Sequence, residues 1–190
     1  ADIPNVGSCA FESDQVDYRY AQFQTKLFQG GTYFFTLVTY KREKIFLDDI
    51  CTESFFDALG KVKDTHHFEL LAYCVLPDHI HLLMTLDNTD SNFSSRIKEI
   101  KRKATLAIRE HLQNPSLRVW QDRFWEHTIR DDNDLKMHFD YIHYNPIKHG
   151  YSEKYDWKWS SYWRFYGNDG EKAPSINSDI FMDPKYSFGE

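Results

Sequence analysis

A chain of 190 residues with 29 acidic against 23 basic side chains, net −6, is too acidic for a general nucleic-acid coat. Its 41% hydrophobic and 17% aromatic content fills a core and excludes a largely disordered chain. Three dispersed cysteines, Cys9, Cys51 and Cys74, exclude a disulfide framework and a Cys-x-x-Cys zinc site, and no apolar run approaches the roughly 20 residues that span a bilayer.

Residues 1–17 are aperiodic and are expected to form an N-terminal extension to a single domain over residues 18–166, with residues 167–190 as a polar, breaker-rich tail. Gly30-Gly31 precedes Thr32–Tyr40, a β-branched and aromatic run that predicts a central strand. Lys41–Lys44 is a charged turn, and Asp48 or Asp49 can cap a helix running to about Lys63. Phe68–Leu76 and His79–Leu86 predict two strands of a hairpin around Pro77-Asp78.

A polar loop then leads into a long helix, about Phe93 to Gln113, with Ile97, Ile100, Ala104 and Ile108 on its buried stripe. Trp120–Arg130 predicts a further strand. Asp131-Asp132-Asn133 opens a last helix, expected to stop at Pro146. An aromatic extension, Trp157–Tyr166, follows. The order β-α-β-β-α-β plus a late helix predicts an α+β ferredoxin-like sandwich: a central antiparallel sheet with helices packed on it.

Charge is uneven along this order. From Ser91 to Arg130 there are nine basic and four acidic residues, a net of +5 that leaves −11 on the rest. A basic segment on an acidic protein points to a local anion site. Its candidates are Arg96, Lys98, Lys101, Arg102 and Lys103 on the long helix, with Lys158 and Arg164 from the aromatic extension. The same charges also suit a solvated helix face.

Chemistry concentrates at His79-Ile80-His81. Side chains alternate along a strand, so both imidazoles face one side and can share a divalent ion. On the last helix, at about 100° per residue, Leu135, Phe139, Ile142 and Pro146 form the buried stripe, and Asp134, His138, Tyr141 and Asn145 form the row beside it. Tyr141 and Asn145 stand one turn apart, where a phenol could attack phosphorus and an amide oxygen could join the histidines; the same pair also suits the surface of an ordinary amphipathic helix. Tyr144 falls off this row and is the rival nucleophile.

These residues resemble those of single-tyrosine HUH transposases, in particular the REP-associated tyrosine transposases. The likeness extends over Gly30–Thr36, Leu76–His81, Phe93–Arg96, Trp120–His127, Asp140–Gly150 and Trp157–Tyr162. It implies that Tyr141 attacks single-stranded DNA beside a REP hairpin, leaving a 5′-phosphotyrosine and a free 3′-hydroxyl. It implies Mg²⁺ or Mn²⁺ on His79, His81 and Asn145, with Asn145 shorter than the Gln that many relatives carry there. His127 and His138 lie in motif segments and are expected to shape the site from behind the ligands. The implied protein is a monomer or homodimer, cytoplasmic and nucleoid-associated. A hairpin-binding regulator that kept the fold without the chemistry is the alternative. A water-using metallohydrolase fits less well, because Leu82 and Leu83 follow His-x-His where further ligands are needed.

Overall fold

The computed structural model describes residues 30–87 and 89–166 and the separate positions 181, 188 and 189. The expected N-terminal extension and most of the tail lie outside the described residues. Four strands form one antiparallel sheet: β1 (Thr32–Val38), β2 (Glu69–Leu76), β3 (His79–Thr85) and β4 (Trp125–Thr128), in the order β2-β3-β1-β4. With helices α1 (Asp49–Thr65), α2 (Phe93–His111) and α3 (Asp132–Lys148), this is the ferredoxin-like arrangement expected.

Local chemistry sets each boundary. The Asp48 carboxylate accepts from the amides of Ile50 and Cys51, Asn92 from Ser95, and Asp131 from Asp134, so each helix begins on a side-chain cap. Before β1 the backbone needs glycine twice. A Cβ on Gly30 would lie 1.8 Å from the Leu86 carbonyl oxygen, and Gly31 adopts φ +74°.

Alternation along the strands divides the core in two. Phe35, Leu37, Val75, Ile80, Leu82 and Met84 meet Phe55, Leu59 and Val62 of α1 and Ile97, Ile100, Ala104 and Ile108 of α2. Phe34, Cys74 and Leu83 point the other way, onto Leu135, Phe139 and Ile142 of α3. Thr36 pairs with His81, and Val38 with His79. Both histidines therefore face α3, across the sheet from α2.

Two expectations are corrected. The predicted strand Trp120–Arg130 is broken: Thr39 bridges Trp120, the Gln121 amide donates to the Val38 carbonyl, and regular pairing resumes only at Trp125. The charged stretch between them leaves the ladder, with Arg118 ion-paired to Asp122. Pro146 also does not end α3, which runs to Lys148. A proline near a helix C-terminus forfeits one backbone bond, and the close here is a Schellman motif: Gly150, at φ +69°, donates to the Ile147 carbonyl, and the Tyr151 amide to Pro146.

The outer edge of β2 is covered by the aromatic extension. The Val75 amide donates to the Trp159 carbonyl, Ser161 to Tyr73, and the Trp157 indole to the Val75 carbonyl. Tyr162 is buried. Most of this segment packs and closes the sheet edge.

Candidate active site

Three sites on the chain converge on the α3 side of the sheet. The turn Pro77-Asp78 is pinned from both carbonyls: Phe46 donates its amide to Pro77, and Thr39 donates its amide and hydroxyl to Asp78. This fixes the start of β3. His79 and His81 follow with ring centroids 5.0 Å apart. From α3, Tyr141 sets its ring 5.4 Å from His81 at 70°, and the Asn145 Oδ1 lies 3.2 Å from His79 Nε2. All four side chains are fully buried.

Hydrogen bonds orient both imidazoles. His79 Nδ1 donates to the Asp78 carboxylate at 2.7 Å, which turns Nε2 toward Asn145 Oδ1. The Thr36 hydroxyl spends its proton on the Phe188 carbonyl, so its oxygen accepts from His81 Nδ1, 3.0 Å away. This contact holds the His81 ring by its Nδ1 side. This carboxylate–imidazole and hydroxyl–imidazole support is the pattern that orients metal-binding histidines. Burial pushes the Asp78 carboxyl up, but bonds from His79 and Arg42 outweigh it and hold it at about 2.

The donor set fits a divalent ion. Octahedral oxygen and nitrogen ligands at about 2.1 Å stand about 3 Å from one another, close to the separation of Nε2 and Oδ1 here. Two imidazoles and one amide oxygen leave positions on such an ion for phosphate and water.

Two features of the surroundings of Tyr141 were not read from the sequence. Lys148 donates to the Tyr141 hydroxyl at 3.0 Å, with its ammonium 4.9 Å from the ring centroid. Phe188 lies flat on Tyr141, 3.6 Å between centroids and 9° between planes, and Phe181 meets the same ring edge-on at 5.4 Å. Lys148 was legible, since it falls two turns below Tyr141 on the same helix face. The assumed stop at Pro146 hid it. Nothing in the local pattern announced the phenylalanines. Tyr144 stacks on Phe181 and stands off the Tyr141–Asn145 row.

His127 and His138 do not reach His79, His81 or Asn145. Their rings stack on each other at 4.5 Å and 15°. His127 Nε2 donates to Asp134 at 2.8 Å, while His138 Nδ1 donates to the Asp134 backbone carbonyl at 2.8 Å. An ion shared by both would have to lie in two nearly parallel ring planes at once, so this trio is a hydrogen-bonded brace. Phe34 separates it from the site, with its ring 4.8 Å from His138 and 5.3 Å from His81. Burial lowers His138 to about 4, keeping it neutral.

The basic residues are dispersed. Arg96 is buried, correcting its assignment as a phosphate contact: its guanidinium donates to the carbonyls of His66, His67 and Asn92 and to the Asp90 carboxylate. Lys101 donates to the Gln121 carbonyl. Arg102 and Lys103 both pair with Glu99, Lys158 pairs with Asp49, and Arg164 lies over the Tyr73 ring at 5.0 Å. Lys98 is exposed on α2. The whole α2 row stands across the sheet from His79 and His81, so a nucleic acid touching both must pass around an edge.

Fold and site together define a class: a ferredoxin-like sheet carrying a histidine pair on its central strand, faced by a tyrosine and an amide one turn apart on a single helix. The chain belongs to the IS200-like transposase family, enzymes that cut DNA and transfer strands, whose sequence model matches residues 28–145. It is 39% identical over 145 residues to the REP-associated tyrosine transposase of Escherichia coli K12, covering 76% of this chain and 84% of that one. A Haemophilus influenzae protein assigned as a REP-associated tyrosine transposase is 44% identical over 145 residues, or 72% of this chain and 82% of the relative. The solved structure of a REP-associated tyrosine transposase bound to a REP hairpin superposes with a TM-score of 0.69 at 36% identity, over 85% of this chain and 92% of that one. Among the described residues no helix is long and apolar enough to cross a membrane.

Proposed function

We propose that this chain nicks and rejoins single-stranded DNA beside a REP-type hairpin, with Tyr141 as nucleophile. The observation that carries the reading is the meeting of Tyr141 with His81, while Asn145 Oδ1 stands 3.2 Å from His79 Nε2. The hairpin comes from the solved relative. Acting on chromosomal palindromes puts the protein at the nucleoid.

His79, His81 and Asn145 would hold Mg²⁺ or Mn²⁺. A divalent ion there would neutralise charge on the scissile phosphate and orient it for in-line attack. Tyr141 Oη forms a bond to phosphorus as the bond from phosphorus to the 3′ oxygen breaks. The products are a 5′-phosphotyrosine and a 3′-hydroxyl, and attack by a 3′-hydroxyl on the phosphotyrosine reverses the step. Asp78 and Thr36 would hold both imidazoles in orientation for the ion.

The test is covalent trapping. A labelled hairpin oligonucleotide incubated with Mn²⁺ is expected to give a protein–DNA adduct that Tyr141→Phe abolishes and Tyr144→Phe retains. Adduct formation by Tyr141→Phe, or its loss in Tyr144→Phe alone, overturns the assignment.

A further inference from the structure

The geometry points to Lys148 as a second catalytic residue: its ammonium aims Tyr141 Oη for attack and neutralises the charge that gathers on that oxygen when a strand is rejoined. This rests on Tyr141 being the nucleophile. Oη is then a reacting atom, and Lys148 Nζ donates to it at 3.0 Å.

The contact follows from the helix. Residues seven apart fall about 20° from alignment, two turns along one face, so Tyr141, Asn145 and Lys148 share a row that also carries the amide ligand. The Gly150 close ties down the turn that bears Lys148. The ammonium thus has a fixed anchor, and its half-buried side chain lies along a fully buried ring.

The chemistry gives the contact its direction. An ammonium hydrogen bond gains most with a charged acceptor, and the phenolic oxygen is charged only as phenolate. Negative charge gathers on that oxygen as its bond to phosphorus breaks in rejoining, and there the ammonium stabilises it most. As Oη bonds to phosphorus its proton leaves to solvent, and the departing 3′ oxygen takes a proton from solvent. In rejoining, the 3′-hydroxyl gives its proton to solvent, and Oη leaves phosphorus beside the ammonium and takes a proton from solvent, so charge and protons balance in both directions.

The test compares parent, Lys148→Met, Lys148→Arg and Tyr141→Phe in single-turnover adduct formation and rejoining with Mn²⁺, with hairpin affinity and melting temperature measured alongside. Lys148→Met is expected to lose at least about tenfold in both rates with hairpin affinity retained. Lys148→Arg is expected to restore most of each rate. Should Lys148→Met fail to fold, Lys148→Gln replaces it with the same expectation. A Lys148→Met enzyme with the parent's rates overturns the proposal while Tyr141→Phe is inactive. A loss of rate matched by an equal loss of hairpin affinity also overturns it, making Lys148 a phosphate contact. Persistence of the adduct in Tyr141→Phe instead refutes the nucleophile assignment beneath it.

Discussion

Replacing Arg96 with alanine is expected to damage the fold and spare recognition of DNA. The guanidinium ties the C-terminal end of α1, through the carbonyls of His66 and His67, to the Asn92 carbonyl at the start of α2. Hydrogen bonds from a charged donor contribute up to about 3 kcal/mol each, but these carbonyls belong to exposed residues and regain water, so about 1 kcal/mol apiece is a fair figure. The Asp90 pair at the solvent edge is screened and adds little. Loss of the packed stem brings the total to about 2–4 kcal/mol, or a fall in melting temperature on the order of 5–15 °C. Thermal unfolding followed by circular dichroism, with Lys98→Ala as an exposed control on the same helix, measures the effect. Hairpin affinity at 15 °C should match the parent. An Arg96→Ala protein that melts with the parent but binds hairpin weakly would refute the reasoning and return Arg96 to the interface.

Removal of the carboxylate behind His79, Asp78→Ala, is expected to weaken Mn²⁺ binding by about 10- to 100-fold in calorimetry; unchanged affinity would detach the metal from this histidine. Phe188→Ala uncovers the Tyr141 ring, and a lost stack of about 0.5–1.5 kcal/mol should raise adduct formation by roughly 2- to 12-fold. A slower variant would mean that Phe188 supports the site. Acid should destabilise the fold through His138, which faces His127 on β4, Asp134 on its own helix and Arg130 before it. Its pKa falls from about 6.5 unfolded to about 4 folded, so its stabilising term is complete above pH 6.5 and drains away as pH drops toward 4, on the order of 3 kcal/mol in all. Denaturant midpoints that stay flat from pH 7 to 5 would contradict this.

Period-two alternation put His79 and His81 on one strand face and the helix wheel put Tyr141 and Asn145 on one row, because strand and helix geometry is local; that the two meet was implied by the family resemblance. The sandwich followed from element order for the same reason. What escaped was governed by distant or terminal contacts. Pro146 looked like a helix stop, yet the Gly150 motif keeps the last turn, and with it Lys148, in register. Arg96 looked like its basic neighbours, and only the position of the α1 end against α2 draws it inward. Thr36 and Phe188 meet through tertiary structure 152 residues apart, beyond the reach of any spacing rule.

Dividing the chemistry between one strand and one helix leaves it with a single mechanical joint. Tyr141, Asn145 and Lys148 ride together on α3, and both histidines ride on β3, so the spacing between the two sets is governed by the apolar seam of Leu83 and Phe34 against Leu135, Phe139 and Ile142. Trimming a methyl group from that seam would let the helix settle by tenths of an ångström and carry Tyr141, Asn145 and Lys148 with it. Side chains buried in that seam thereby act as the calibration of the instrument.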